Sequence, residues 1–582
     1  MTSKEIRNKF LRFFEKKGHK IVPSSSLLPI DPSVLFTTAG MQQFKEYFLG
    51  KPSPYGNRVT SSQKCFRTSD IEEVGDTTHL TFLEMLGNFS FAVSAEASGE
   101  GGEGYFKKES IEWALEFLTK DCKLKKEKLW ITVFKGDKEV PKDKESREIW
   151  KELGFPKEKI HGFSREDNFW GPTGEEGPCG PTTEIHYELS KKPCSLGKKC
   201  LPNCKCGRFI ELWNLVFNEF YQDRDKKLTP LKQKGVDTGM GLERLVMVIQ
   251  EKPSVFETDL FSTMPQNQSE RIIADHIKGS VFLASEGIIP LNVEQGYVLR
   301  RILRRAIRHG KILKMPKNFL IPLVQKVIEI YKEVYPEVKS KETDILTIIQ
   351  NEEEKFAKTL EQGLKEFDKL ISKNKDIKGE EAFNLYQSYG FPLELTEELV
   401  KEKGFKIDKR GFEKAIKKHQ EISRAGAEKK FGGVGKDAGL EETKLHTATH
   451  LMHQALREVL GDHVKQMGSD ITSQRLRFDF SHIGKMTEQE INKVEEIVNQ
   501  EIKQDLEVKK EEMNYKDAID SGALAFFREK YPEKVSVYSM GEFSKEICAG
   551  PHVKRTSELG KFKIIKEESS GAGIRRLRAI LE

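Results

Sequence analysis

Four stretches of the sequence hold residue types whose spacing suits chemistry. In KLHTATHLMHQALREVL, His446 and His450 stand at i and i+4, on one face of a helix, where two imidazoles can bind one zinc ion. Two histidines a turn apart also occur without a metal, and the run is not HExxH. In CSLGKKCLPNCKC, Cys194, Cys200, Cys204 and Cys206 crowd into 13 residues among lysines that lower thiol pKa. Four thiolates can complete a tetrahedral zinc site, a structural one because no position stays open. The C-x5-C-x3-C-x-C spacing is not the usual pair of C-x2-C knuckles, so free surface thiols fit as well. Arg67 stands at the mouth of a loop, where a guanidinium can clamp a phosphate with two parallel hydrogen bonds, or be an ordinary surface arginine. In GYVLRRILRRAIRHGKILK, Arg301, Arg304, Arg305 and Arg308 fall at i, i+3, i+4 and i+7. A solvated helix face would mix charge signs, whereas this acid-free cationic stripe suits RNA phosphates.

These residues need elements to position them. Residues 61–91 read as two strands joined by a long loop rich in Asp, Glu and Thr, the second strand largely buried. The N-terminal helix starts on a capping box, Thr2 with Glu5, buries Ile6, Phe10, Phe13 and Phe14, and ends at Gly18. LWITVF at 129–134 and ELWNLVFNEFYQ at 211–222 read as strands, and dense Gly and Pro in NFWGPTGEEGPCGPTTEIHYE mark a loop of fixed shape, not a helix or a regular strand. VDTGMGLERLVMVI reads as strand, turn and helix. Residues from about 272 to 421 read as helical, with Leu299, Ile302, Leu303 and Ile307 facing a core. SRAGAEKKFGGVGKDAGLEE, 423–442, has the composition of a linker. RLRFDFSH alternates as a strand, and Thr487 with Glu490 caps a helix carrying Ile491, Val494 and Val498.

At 582 residues the chain is too long for one core. Its 97 basic and 91 acidic residues leave a net charge of +6, too small a balance to name a partner by itself. With no long uncharged apolar run and no signal-peptide core, no transmembrane helix and no membrane partner are expected. Eight cysteines do not make a disulfide scaffold at this length, which points to a reducing, cytoplasmic setting.

SSQKCFRTSDIEEVGDTTHLTFLEMLGNFSF and VDTGMGLER resemble motifs two and three of the class II aminoacyl-tRNA synthetases, in the wording of the alanyl-tRNA synthetase family. PSSSLLPIDPSVLFTTAGMQQFKEYFLG resembles motif one, and the likeness runs through most of the chain. It implies a multidomain α+β protein: a class II antiparallel sheet with flanking helices, a helical tRNA-binding domain and an α+β editing domain containing zinc. Arg67, Arg244 and Asp237 are implied as catalytic, with His79 and Met85 joining the two arginines around ATP. Trp170, Asn214, Val216, Asp237 and Gly239 would form the alanine pocket, with Asp237 accepting hydrogen bonds from the substrate ammonium. Asn292 matches the asparagine that reads the acceptor-stem G·U pair. Its partner in the family is an aspartate, for which FPLELT supplies Glu394, one methylene longer. The arginine stripe lies where the family grips that stem.

Cys548 and His552, in ICAGPHV, complete with His446 and His450 the family's editing-site zinc ligands, and Gln466 matches a pocket residue; His453 is left outside the set. Thr182 stands where the family commonly has a cysteine after GPCGP. AVSAEASGEGGEG, 92–104, is an insertion that reads as a surface loop. Too little chain precedes the editing region for the β-barrel of longer relatives. Their C-terminal dimerisation and tRNA-elbow domain is also missing, so a monomer is expected.

The implied domains are 1–265 for adenylation with the Cys-rich insertion 194–206, 266–422 for the acceptor stem, a linker 423–442, and 443–582 for editing. The expected partners are tRNA(Ala), alanine and ATP, with Mg2+ and Zn2+. The expected activity is ligation of alanine to tRNA, with hydrolysis of Ser-tRNA and Gly-tRNA esters. The alternatives are an ester deacylase with an inactive synthetase-like half, and a non-catalytic RNA-binding protein.

Overall fold

The computed structural model describes residues 1–582 except 32, 94–103, 191–193, 198–199, 262–264, 266, 374–375, 429–437, 483, 526–531 and 572. Two compact units emerge. One comprises Met1–Ile288 with Val293–Phe356, the other Ile289–Asn292 with Ala357–Glu582. The helical stretch expected over 266–422 contributes to both.

The first unit is built on a nine-stranded sheet. Its strands are β1 (Lys20–Ile21), β2 (Arg58–Phe66), β3 (Phe82–Val93), β4 (Leu129–Phe134), β5 (Ile160–Phe163), β6 (Phe169–Trp170), β7 (Gly177–Glu188), β8 (Phe209–Gln222) and β9 (Leu228–Gly241). The order is β1-β2-β3-β9-β8-β7-β4-β5, with β6 paired to β7. From β2 to β4 every pairing is antiparallel, and the short outer strands β1 and β5 join in parallel. The hairpin read from 61–91 is β2 and β3, paired from Arg58↔Ser90 to Phe66↔Phe82. β9 runs directly into the helix Leu242–Ile249 at Gly241, with no separate turn. Of the 92–104 insertion, Ala92 and Val93 extend β3, and 94–103 lie outside the described residues.

The N-terminal helix, Ser3–Lys16, has the capping box of Thr2 and Glu5 and buries Ile6, Phe10, Phe13 and Phe14. Phe10 and Phe14 pack on Trp213 of β8, with centroids 5.6 and 6.2 Å away. Helix Gln268–Ser285 stacks Phe282 on Phe82 of β3 at 3.8 Å. Between these helices and the sheet lies a buried ionic network. Arg7 donates to both oxygens of Glu84 at 2.8 and 2.6 Å, Tyr335 donates to Glu84 at 2.8 Å, and Lys278 pairs with Glu243 at 2.8 Å. Burial opposes the Arg7 charge, and Glu84 outweighs it, holding the guanidinium above its ordinary pKa.

The second unit holds helices Gly379–Tyr389, Leu393–Glu402, Lys409–Glu428 and Leu440–Leu460, followed by two sheets. Of the expected linker 423–442, helix Lys409–Glu428 reaches into its start, helix Leu440–Leu460 takes its end, and 429–437 lie outside the described residues. Strands β10 (Gln466–Thr472), β11 (Arg475–Ser481), β15 (Phe562–Gly571) and β16 (Ile574–Leu581) form one antiparallel sheet in the order β10-β11-β16-β15. Strands β12 (Val508–Asn514), β13 (Lys534–Met540) and β14 (Ser544–Ile547) form the other. Leu445, Leu451, Met452, Phe478, Phe480, Val494, Val498 and Leu577 make one core between helices Leu440–Leu460 and Glu488–Lys503 and the four-stranded sheet. Thr487 and Glu490 form the expected capping box on the second helix.

Candidate functional sites

Register brings the expected amino-acid residues together on β8 and β9. Asn214 lies opposite Gly239, and Val216 opposite Asp237. Residues two apart on a strand share a face, so these two registered pairs put all four on one face of the sheet. Glu184 of β7 lies opposite Asn214 and accepts from its Nδ2 at 2.9 Å; His186 Nε2 is 3.0 Å from the other Glu184 oxygen. Burial pushes the Glu184 carboxyl upward. Met85 of β3 pairs with Gly241, two residues from Gly239, and so faces the same way. A Cβ on Gly239 would stand 2.9 Å from Met85 Sδ, so glycine there allows the close approach. Asp237 is 7% exposed, and burial alone pushes its carboxyl up to about 7. Trp170 is half-buried and pairs with Gly180 of β7.

The arginines converge on a residue that sequence reasoning missed. Arg244, in the first turn of the helix after β9, donates from Nη1 to Glu211 Oε2 at 3.1 Å. Burial raises the Glu211 pKa, but Arg244, His186 and Arg67 outweigh it and hold the carboxylate below its ordinary value. Glu211 therefore lies within electrostatic reach of both arginines. Its only sequence signal is an acid among apolar neighbours at the start of FIELWNLVF. Arg67 closes the β2–β3 loop through its backbone N–H to Thr81, at 2.8 Å, and its Nε donates to Thr38 O at 3.2 Å. His79 sits on that loop with Nδ1 2.5 Å from Asp76 Oδ2. This pairing raises its pKa, against burial and the nearby Arg244.

The structure sets acids of other elements against the arginine stripe. Between Arg301 and Arg308 the helix Glu294–Ile312 carries no acid, but Glu294 opens it on the same face and other elements bring further acids to it. Arg301 pairs with Glu72, and Arg304 Nε is 2.6 Å from Glu352 Oε1. Arg305 donates to Ile71 O at 2.7 Å and meets His276 Nε2 at 3.0 Å, while Arg308 is 3% exposed. These four side chains are packed into the first unit and do not form an open cationic face. Asn292, exposed, and Glu394, half-buried in the first turn of helix Leu393–Glu402, lie in the second unit.

In the second unit His446, His450, Cys548 and His552 have one ligand atom each within 4.8 Å of one another. Two rings are anchored through Nδ1, His446 to Pro551 O at 3.1 Å and His552 to Thr447 Oγ1 at 3.2 Å, while His450 Nδ1 lies 2.8 Å from Glu546 Oε2 as an ion pair without hydrogen-bond geometry. That leaves the three Nε2 atoms for a metal, with His446 Nε2 3.5 Å from Cys548 Sγ and His552 Nε2 buried without a hydrogen-bond partner. The donor set, three imidazoles and one thiolate, fits zinc. Burial would raise the Cys548 thiol, but the three histidines hold it down at about 3. Glu546, 1% exposed, also takes His453 Nδ1 at 2.8 Å, so His453 belongs to the supporting layer. Nothing in the sequence pattern pointed to Glu546 beyond its place two residues before Cys548. Gln466 opens β10 and donates to Ser469 Oγ at 3.1 Å.

The four remaining expected ligands, Cys194, Cys200, Cys204 and Cys206, also gather within 4.8 Å, in the loop between β7 and β8. Thr182 is buried and accepts from Asn168 Nδ2 at 3.3 Å.

The family described as "tRNA synthetases class II (A)" matches residues 5–476, and the "Threonyl and Alanyl tRNA synthetase second additional domain" matches 535–578. The Alanine--tRNA ligase of Borrelia hermsii is 49% identical over 600 residues, covering 99% of both chains. That of Treponema pallidum is 47% identical, over 99% of this chain and 98% of the relative. The Thermotoga maritima Alanine--tRNA ligase is 41% identical over all of this chain and 80% of its own length.

Proposed function

The chain belongs to the class II aminoacyl-tRNA synthetases, in the alanine–tRNA ligase family, and from that premise we propose how its residues act. The substrates are alanine, ATP entering as its magnesium complex, and tRNA(Ala). The carboxylate of alanine attacks the α-phosphorus of ATP, the bond to the β-phosphate oxygen breaks, and alanyl-adenylate and pyrophosphate form. A terminal ribose hydroxyl of the tRNA then attacks the adenylate carbonyl and displaces AMP.

The observation that carries this reading is the registered set on β8 and β9. Asp237, buried beside Val216, offers a carboxylate to the substrate ammonium. Asn214, held by Glu184, faces the same small space, and Gly239 leaves room for the ligand beside Met85. Trp170 would wall the methyl side of the pocket. Arg67 and Arg244 would neutralise charge growing on the phosphates, with His79 and Met85 contacting the nucleotide, so catalysis is mainly positional and electrostatic. Glu211 would keep Arg244 extended before ATP arrives. Asn292 and Glu394 remain the candidates for reading the acceptor stem.

A pocket sized for methyl rejects glycine by only about 1–3 kcal/mol, and serine adds a single hydroxyl. A second site that hydrolyses the wrong esters follows from that limit. His446, His450, Cys548 and His552 would hold zinc there, with Gln466 in the adjoining pocket. When bound, zinc would supply a fixed positive charge that orients the ester. Glu546 and the Nδ1 partners aim the ligands.

ATP–pyrophosphate exchange with alanine, serine or glycine tests the ligase reading. Alanine-dependent exchange with weaker serine and glycine signals is expected; folded protein giving no exchange with any of them would leave the ester-hydrolase reading in its place.

A further inference from the structure

We propose that Cys194, Cys200, Cys204 and Cys206 bind a second zinc ion, a closed structural site that staples the loop between β7 and β8. The geometry is that of a tetrahedron waiting for its centre. Cys194 Sγ lies 3.7 Å from Cys204 Sγ, and Cys200 Sγ lies 3.6 Å from Cys206 Sγ. Zinc–sulfur bonds of about 2.3 Å in a regular tetrahedron separate the sulfurs by about 3.8 Å. A disulfide would need about 2.0 Å, and all four cysteines are free. The close pairs interleave along the chain, 194 with 204 and 200 with 206, so one centre ties the loop's two halves together.

The local backbone supports the same reading. The Leu196 N–H points at Cys194 Sγ from 3.5 Å, a contact that stabilises a thiolate. Backbone hydrogen bonds from Cys200 N to Gly197 O at 3.1 Å and from Cys204 N to Leu201 O at 2.8 Å fix the main chain at two of the four cysteines. The loop spans some twenty residues, longer than most connections without a staple or core of their own. Its apolar content is poor, with Leu196 53% exposed. Something other than burial must hold it, and the sulfurs are the one convergent group among its described residues.

The loop also has a purpose in the fold. Its base is closed by Leu189 N to Arg208 O at 2.9 Å, and Arg208 pairs with Glu188 at 2.7 Å, which also accepts from Trp130 at 3.0 Å. Immediately inside that base lie His186 and Glu184 on β7 and Glu211 and Asn214 on β8. A stapled loop thus fixes the ends of the two strands that carry them. Binding releases the thiol protons to solvent as zinc takes four thiolates, with no change of oxidation state.

The test is zinc content of the full chain, measured beside a variant of each cluster. Two zinc ions per chain are expected, falling to one in Cys206→Ser, whose position is the exposed one of the four, and to one in the double variant His446→Ala, Cys548→Ala. Cobalt exchanged into that double variant should show the strong sulfur-to-metal charge transfer of an all-thiolate tetrahedral site. On the unmutated chain, a mercurial reagent should release zinc in two steps, and proteolysis within 189–208 should begin with the all-cysteine step. A single zinc per chain that Cys206→Ser leaves in place overturns the proposal. So does a loop cut at the same rate with and without the metal. Because exchange activity is not the readout, failure here leaves the ligase reading standing.

Discussion

Asp237 offers the sharpest test of the amino-acid pocket. Burial pushes its carboxyl up to about 7, whereas alanine's ammonium needs the carboxylate. Ligand therefore binds the ionised form and lowers the pKa of the complex. Affinity is fully present above about pH 7 and is lost as the pH falls through it. At pH 6 about one free molecule in eleven carries the ionised group, so the KM for alanine should rise about tenfold from its value at pH 8. For stability of the empty protein the sign is reversed. The unfolded chain ionises Asp237 at its ordinary value of 3.8 and the native chain near 7, so native stability falls between those pH values, by roughly 4 kcal/mol at the upper end. Asp237→Asn removes both effects. Its KM should rise about 10- to 100-fold, the worth of a charge-assisted hydrogen bond, its pH profile between 6 and 8 should flatten, and its thermal midpoint at pH 8 should rise. The assay is ATP–pyrophosphate exchange against alanine concentration at a series of pH values, with thermal melts alongside. A wild-type KM that is flat from pH 6 to 8, or an Asn variant with unchanged KM, refutes the reasoning.

Other substitutions probe other links. Glu546→Gln weakens the anchoring of His450 and His453, so zinc affinity in the editing cluster should fall about 10- to 100-fold by competition with a chelator, with alanine-dependent exchange intact. Glu211→Ala frees Arg244, and kcat for exchange should fall with little change in the KM for alanine; the opposite split would place Glu211 in the amino-acid pocket. Arg7→Met strands Glu84 in the core and should cost about 3–5 kcal/mol, read by urea unfolding of the first unit. Gly180→Ala puts a Cβ 1.8 Å from Phe217 O, which backbone cannot yield, so loss of soluble protein or a large drop in thermal midpoint is expected.

Local signals carried far in this chain. The Thr2 and Glu5 box, the β2–β3 hairpin and the strand at 129–134 were legible because caps, turns and alternation act over a few residues. Both groups of side chains that could hold a metal were legible because sulfur and imidazole are rare enough to count. The acids that face the arginine stripe, Glu72 and Glu352, were not legible because they lie far along the chain and leave no mark on the helix itself. Glu211 and Glu546 were missed for a related reason. A single acid in an apolar strand looks like a solvent-facing residue until the fold brings cations to it. The likeness to a known family named the candidate pocket residues, but it did not say that Glu184 would hold Asn214.

The outer strands of the nine-stranded sheet bear on how the chain survives its own synthesis. A sheet of this width exposes two ladder rims of unpaired amides and carbonyls, to which a second chain could add a strand. Here one rim is β1, two residues long and carrying Lys20, and the other is β5, four residues long. Both are too short to template a foreign strand, and a lysine at the rim would be stranded by one. The long, apolar strands β3, β7 and β8 are all interior to the order and are flanked on both sides once the sheet closes. Exposure to misassembly is thereby confined to the interval before β9 slots between β3 and β8, so crowded translation should threaten the nascent chain far more than the finished one.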